Sequence, residues 1–233
     1  MSAAIDAALD RQVWNMLHGR LAHLAVDGGA AIRLDPRYGP FAAARDASGE
    51  AQAALASLIA GPDDEIWLVE PEAWPAPPGT RLVRTAPLLQ MIADGPLPVP
   101  GPSDPEIVEL AEGDAAAMAE IAHATEPGPW GELTHRYTNS VGIWRDGRLA
   151  AMAGQRMLPA PGLSEVSGVC TWPEFRGQGL ATRLIRHVMD RMQAQGEVPY
   201  LHSYAKNSGA IGLYESLGFR PRRAMTVTVL AQA

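Results

Sequence analysis

Residues 174–185 read EFRGQGLATRLI. Two glycines and an arginine stand against the start of an apolar-striped run that reaches Ala194. Leu180, Leu184, Ile185, Val188, Met189 and Met192 recur at helical spacing, so the run predicts a helix with one buried face. The first turn of a helix exposes amides without intrahelical partners and carries partial positive charge, which suits a phosphate or pyrophosphate. Gly177 and Gly179 remove side chains that would hold a ligand off. Residues Arg176, Gly177, Gln178, Gly179, Leu180, Ala181 and Thr182 therefore read as a phosphate-cradling loop. An ordinary strand-to-helix turn can carry the same glycines, so the flanking sequence has to decide.

Upstream, "LSEVSGVCT" (163–171) predicts a strand, preceded by a hairpin whose tight turn is Asp146-Gly147. Before it come a strand at "EIVEL", a helix over "DAAAMAEIAHAT" capped by Asp114, and a loop at "EPGPW". Downstream lie a strand at "VPYLHSY" (198–204), a short helix at "SGAIGLYESL" and a closing strand at "RAMTVTVL". The order is strand, helix, three antiparallel strands, helix, strand, helix, strand. A P-loop nucleotidase would need Gly-Lys-Ser/Thr at the helix start, and Leu180-Ala181-Thr182 has no lysine beside it.

In this setting the chain resembles the GNAT superfamily of N-acetyltransferases. Arg176, Gly177, Gln178, Gly179, Leu180 and Ala181 match its signature [QR]xxGx[GA]. "NSGAIGLYESLGF" (207–219) looks like a second signature, NxxAxxxYxxxGF, carried by Asn207, Ala210, Tyr214, Gly218 and Phe219. The similarity covers about residues 105 to 231, and "EVSGVCTWPEFRGQGLA" with "YLHSYAKNSGAIGLYESLGF" looks like the glycine N-acyltransferase-like branch. The resemblance implies an α/β (α+β) GNAT fold, a mixed central sheet flanked by helices. It also implies acetyl-coenzyme A as cosubstrate, its pyrophosphate on the glycine loop. The pantetheine arm would run between the strands at 163–171 and 198–204, which part in this family. Asn207 would lie on that cofactor path, and amides near Val169 and Thr171 would polarise the thioester carbonyl.

Transfer would be direct, from thioester to amine. Tyr214 matches the family tyrosine that protonates the leaving thiolate, and a phenol keeps its proton at neutral pH. Glu165 shares the strand and the parity of Val169 and Thr171, so it is the expected base facing the acceptor, with an ordered water as the other choice. Glu126 and His202 are weaker acceptor-side candidates. Cys170 lies within the cofactor-binding strand, but alternation points its thiol away from Val169 and Thr171, so it reads as a small buried residue and not a nucleophile. The function implied is an N-acetyltransferase acting on a primary amine of a small molecule or peptide. A longer-chain acyltransferase of the glycine N-acyltransferase type and a non-catalytic coenzyme A sensor are the alternatives.

The whole chain fits this frame. Its 233 residues are 47% apolar, enough for a sizeable core, and carry a net charge of -7. Such a balance disfavours a nucleic-acid surface. Yet Cys170 to Arg223 holds eight cations against four anions, a +4 segment suited to a small polyanion. One cysteine and no metal-ligand histidine spacing argue against disulfide and metal. Neither a secretory leader nor a membrane span is read, so the expected address is the cytoplasm; a homodimer is left open. The proline- and glycine-rich stretch at 94–105 reads as a linker between an N-terminal α/β lobe (1–93) and an acetyltransferase domain (106–233). The lobe's helix at 3–17, hairpin, helix at 49–60 and strand at "EIWLVEP" echo a GNAT-like repeat that lacks the glycine loop.

Overall fold

The computed structural model describes residues 3–95 and 104–233, so the expected linker falls outside them at 96–103. In chain order the elements are α1 (Ala3–Asp10), α2 (Gln12–His18), β1 (Ala25–Asp27), β2 (Ala31–Leu34), β3 (Ala42–Ala44), α3 (Gly49–Ser57), β4 (Glu65–Glu70), β5 (Thr80–Ile92), β6 (Ile107–Glu109), α4 (Ala115–Thr125), β7 (Val141–Arg145), β8 (Arg148–Gln155), β9 (Leu163–Thr171), α5 (Leu180–Ala194), β10 (Val198–Tyr204), α6 (Ser208–Ser216) and β11 (Arg220–Gln232). Among the described residues, β4-β11-β5-β10-β9-β8-β7-β6 make one mixed sheet and β1-β2-β3 a smaller one. The β9/β10 pair is parallel and its neighbours are antiparallel. This is the mixed central sheet flanked by helices that the resemblance implies.

Apolar periodicity decides which helix covers which face. The α5 stripe, Leu180, Leu184, Ile185, Val188, Met189 and Met192, packs with Val141, Ala151, Ala153, Val166 and Leu201 on one side of the sheet, where α6 adds Leu213 and Tyr214. On the other side, Leu9 of α1 and Val13, Met16 and Leu17 of α2 meet Leu88, Ile92, Tyr200 and Val227. Met118, Ile121 and Ala122 of α4 pack there as well, against Met152 and Cys170.

Three local expectations are corrected. The helix over 3–17 is two helices, broken at Arg11 (φ -121, ψ 43). Arg11 reaches the carbonyls of Ala44 and Arg45 and pairs with Glu70 at 3.3 Å, so the chain turns there. Asp114 does occupy the N-cap position of α4, but its carboxylate turns back to accept from the Ala111 amide at 2.8 Å and does not cap the helix. The helix at 49–60 ends at Ser57, with the N-cap Ser48 accepting from the Ala51 amide.

The larger difference is β5. No element is expected at 80–92, yet these residues form a strand of 13 residues between β11 and β10. Pro87 masks it, because proline usually argues against an inner strand. The Pro87 carbonyl accepts from the Ala205 amide at 3.0 Å, just past the end of β10. Carbonyl and nitrogen of one residue point to the same side of an antiparallel strand, so the missing N–H falls where that ladder is already finished. The main sheet thus takes β4 and β5 from before the expected boundary and β6 to β11 from after it, and the division at 94–105 does not separate two sheets.

A chain beginning at Pro105 would lose β4 and β5 and expose the apolar side of β10 and β11. It should show no cooperative thermal transition by circular dichroism. A sharp transition together with the full chain's activity would contradict this account of the sheet.

Candidate active site

The parallel pairing of β9 with β10 runs from Leu163–Val198 only to Glu165–Tyr200. Beyond that point β10 continues to Tyr204 paired with β5, and β9 continues to Thr171 paired with β8. The strands part, as the resemblance implies. Along the open stretch β9 carries a bulge: Gly168 and Val169 stand opposite the single residue Ala153, and Gly168 takes φ +62, a conformation that favours glycine.

A cavity of about 550 Å³ fills the fork. Of the residues expected at the site, Glu126, Glu165, Val169, Cys170, Thr171, Arg176, Ala181, His202, Asn207 and Tyr214 line it. Gly177, Gln178, Gly179, Leu180 and Thr182 do not, and Leu180 is a core residue of α5. Gly177 (φ +75) and Gly179 (φ +73) both have left-handed backbone, and no side chain caps α5. A Cβ added at either glycine would meet nothing within 4 Å. What requires glycine here is therefore the backbone angle, and the space over the helix start is open. Asn207 caps α6, its Oδ1 accepting from the Ala210 amide at 3.2 Å. Glu126 ends α4 in left-handed conformation (φ 47).

The bulge corrects the parity expected for Glu165. Val166 and Val169 pack on the α5 side, whereas Glu165 hydrogen-bonds to His202 on the α1/α2 side. An extra residue between them reverses the alternation, so Glu165 does not share a face with Val169 and Thr171. Cys170 does point away from Val169, into the cluster under α4.

Glu165, 1% exposed, sits where the two strands separate. Its Oε1 accepts from His202 Nδ1 at 2.9 Å and its Oε2 from Arg156 Nε at 3.3 Å. Burial pushes its pKa up, but Arg156 and His202 outweigh burial and hold the carboxyl below its usual range. Gln90 fixes the orientation of the ring. Its Oε1 accepts from Arg222 Nη1 at 2.5 Å and its Nε2 donates to the Leu9 carbonyl at 3.1 Å. The amide NH2 therefore faces His202 Nε2, 3.0 Å away, and the histidine accepts there and donates from Nδ1. Gln12 Nε2 lies 3.1 Å from the same ring nitrogen, while its Oε1 is buried without a partner. On the opposite wall, burial, reinforced by Cys170, pushes the Tyr214 phenol up to about 12, so it is protonated at neutral pH.

Gln12, Phe41, Trp67, Gln90 and Arg156 escaped the reading of the sequence, although each except Gln90 lines the cavity. The available signal was polar residues interrupting apolar runs: Gln90 in "PLLQMI" and Arg156 after "LAAMAGQ".

A family model described as FR47-like protein matches residues 140–228. A [ribosomal protein bS18]-alanine N-acetyltransferase from Salmonella typhimurium is 33% identical over 119 residues, 47% of this chain and 77% of that protein. An N-alpha-acetyltransferase from Mycobacterium tuberculosis is 32% identical over 121 residues, covering 48% and 75%. A crystal structure described as an acetyltransferase from the GNAT family, from Novosphingobium aromaticivorans, is 62% identical with a TM-score of 0.92, covering 97% of this chain and 99% of that one. The chain belongs to the GNAT family of N-acetyltransferases. At 22% identity, a GCN5-related N-acetyltransferase from Kribbella flavida shares the fold across the full chain, with a TM-score of 0.60. Among the described residues, no helix of the acetyltransferase is long and apolar enough to cross a membrane.

Burial pushes the Cys170 thiol up to about 12. In the folded acetyltransferase it should resist alkylation and disulfide reagents at pH 8 and react fully in denaturant. Stoichiometric labelling of the native protein within minutes would contradict its burial.

Proposed function

We propose that this enzyme moves an acetyl group from acetyl-coenzyme A directly to a primary amine. The observation that carries the proposal is the cavity in the fork, which brings Arg176 and Ala181 beside the glycine loop, the bulged strand, Tyr214 and the Glu165–His202 pair onto one continuous surface. The uncapped start of α5 supplies amides for a pyrophosphate. The parted edges of β9 and β10 suit an extended pantetheine arm, and the bulge at Gly168 and Val169 redirects main chain toward the thioester carbonyl.

In this scheme the neutral amine attacks the thioester carbon and the carbon–sulfur bond breaks. Tyr214 gives its proton to the departing sulfur and recovers one from solvent, while the amine's surplus proton passes to water. Glu165, with both oxygens engaged and its pKa held down, is a poor proton acceptor. Its charge instead orients the acceptor's N–H groups. The glycine N-acyltransferase-like branch gains no support from the relatives, whose names specify N-acetyl transfer. A coenzyme A sensor would have no use for a protonated phenol held against the cavity.

Tyr214→Phe keeps the ring and its edge contact with Phe219, whose ring centre is 6.1 Å away. Turnover with a given acceptor should fall roughly a hundred- to ten-thousand-fold while acetyl-coenzyme A affinity stays level. Equal thiol release by both proteins would take Tyr214 out of the mechanism. Separately, Gly179→Val places a branched side chain at φ +73 and should weaken acetyl-coenzyme A binding at least tenfold, on the order of 1.4 kcal/mol by calorimetry. Unchanged affinity would mean the pyrophosphate lies elsewhere.

A further inference from the structure

Arg156 has more donors than the protein occupies. It lies in the cavity wall with 13% of its side chain exposed, over the ring of Phe41 at 4.9 Å, and Nε donates to Glu165. Its Nη1 and Nη2 have no hydrogen-bond partner among the described residues. A guanidinium fork is matched by the two oxygens of a carboxylate. On the same cavity is the opposite requirement: Gln12, 0% exposed, turns a buried carbonyl oxygen that accepts from nothing. Glu165 adds negative charge between the two. Places for an anion and for N–H donors on one cavity suit a molecule that carries both a carboxylate and an amine.

The same wall carries an apolar group of side chains, Phe41, Trp67, Val69, Leu88 and Val227. On the far side of Arg156, under the loop from Pro127 to Trp130, a separate small space of about 10 Å³ has room for one water at most. We propose that the acceptor is a free α-amino acid with an apolar side chain, its carboxylate held by the Nη groups of Arg156 and its amine by Gln12 and Glu165. This assignment rests on the transfer reaction proposed above. The site takes its selectivity from the N-terminal half, which provides Gln12, Phe41, Trp67, Val69 and Leu88, all before the stretch that the FR47-like family matches.

The test measures thiol release from acetyl-coenzyme A with free leucine, methionine and phenylalanine, with the carboxamide of each, and with tetrapeptides that begin with each. Free acids should exceed amides and peptides by roughly a hundredfold in kcat/KM, the effect of removing a charge-assisted pair of hydrogen bonds. Arg156→Lys keeps a cation beside Glu165 but loses the fork, and should bring that ratio within about tenfold without changing acetyl-coenzyme A affinity. Amides or peptides serving as well as free acids would overturn the proposal, as would an unchanged ratio in the variant. Calorimetry on the protein loaded with coenzyme A separates this inference from the one beneath it. If free acids bind, amides do not, and no acceptor yields thiol, the transfer reaction falls and the carboxylate site stands. Absence of both binding and turnover with every free acid would overturn the site itself.

Discussion

The parting of β9 and β10 after the Glu165–Tyr200 pair is the constraint on which the site depends. Two parallel strands that remained zipped would satisfy each other's main-chain groups and leave no edge for a ligand. Where they separate, each keeps its outer neighbour, so the sheet holds together while its centre opens. Main-chain donors and acceptors along such an edge can serve an extended ligand in place of a strand. Ala181, in the first turn of α5, lines the cavity, so the helix's uncapped start stands beside the opening. On the proposed function, the fold thereby joins a phosphate site to a thioester site using mostly backbone.

A buried carboxylate at the point of separation needs compensation, because desolvation of an isolated charge costs several kcal/mol. Glu165 receives it from Arg156 on β8's continuation and from His202 on β10, one partner from each neighbouring strand. His202 is fixed in turn by Gln90 of β5, and Gln90 by Arg222 of β11, whose guanidinium also holds Asp6 and Asp10 of α1. Polar groups that would be expensive alone are thus linked across five strands and a helix. Each link restricts the next, and the carboxylate is left with its charge but with little freedom to take a proton.

The C-terminal half was legible because its determinants are local. Glycines before an apolar stripe and an Asp-Gly turn each declare themselves within a few residues, and Tyr214, Arg176 and Asn207 follow from motifs of fixed spacing. Glu165 was legible as a residue but not in its orientation, since one extra residue at Gly168 and Val169 reverses everything before it. A bulge depends on the partner strand, and nothing in "VSGVC" except the glycine signals it. Gln90 and Gln12 were hidden for a related reason: they reach His202 only through contacts between segments far apart in the chain, whereas Arg156 meets Glu165 across the β8–β9 turn but carries no motif. The strand at 80–92 was lost to Pro87, whose cost vanishes only because β10 ends beside it.

That strand also explains why the two halves of the chain cannot be weighed separately. β5 fills the place between β10 and β11, so the sheet that carries His202 is completed by residues from before the linker region. The same insertion delivers Gln90 to the histidine and sets Leu88 into the cavity wall, while α2, packed on that face, delivers Gln12. On the proposed reading, the phosphate-binding side of the enzyme comes from the part of the chain with family signatures, and the acceptor side draws largely on the part without them. Recognition of the donor would then be legible in short motifs. Recognition of the acceptor would rest on long-range contacts, where a change as small as Gln12 or Phe41 should alter what the enzyme accepts without touching how it transfers.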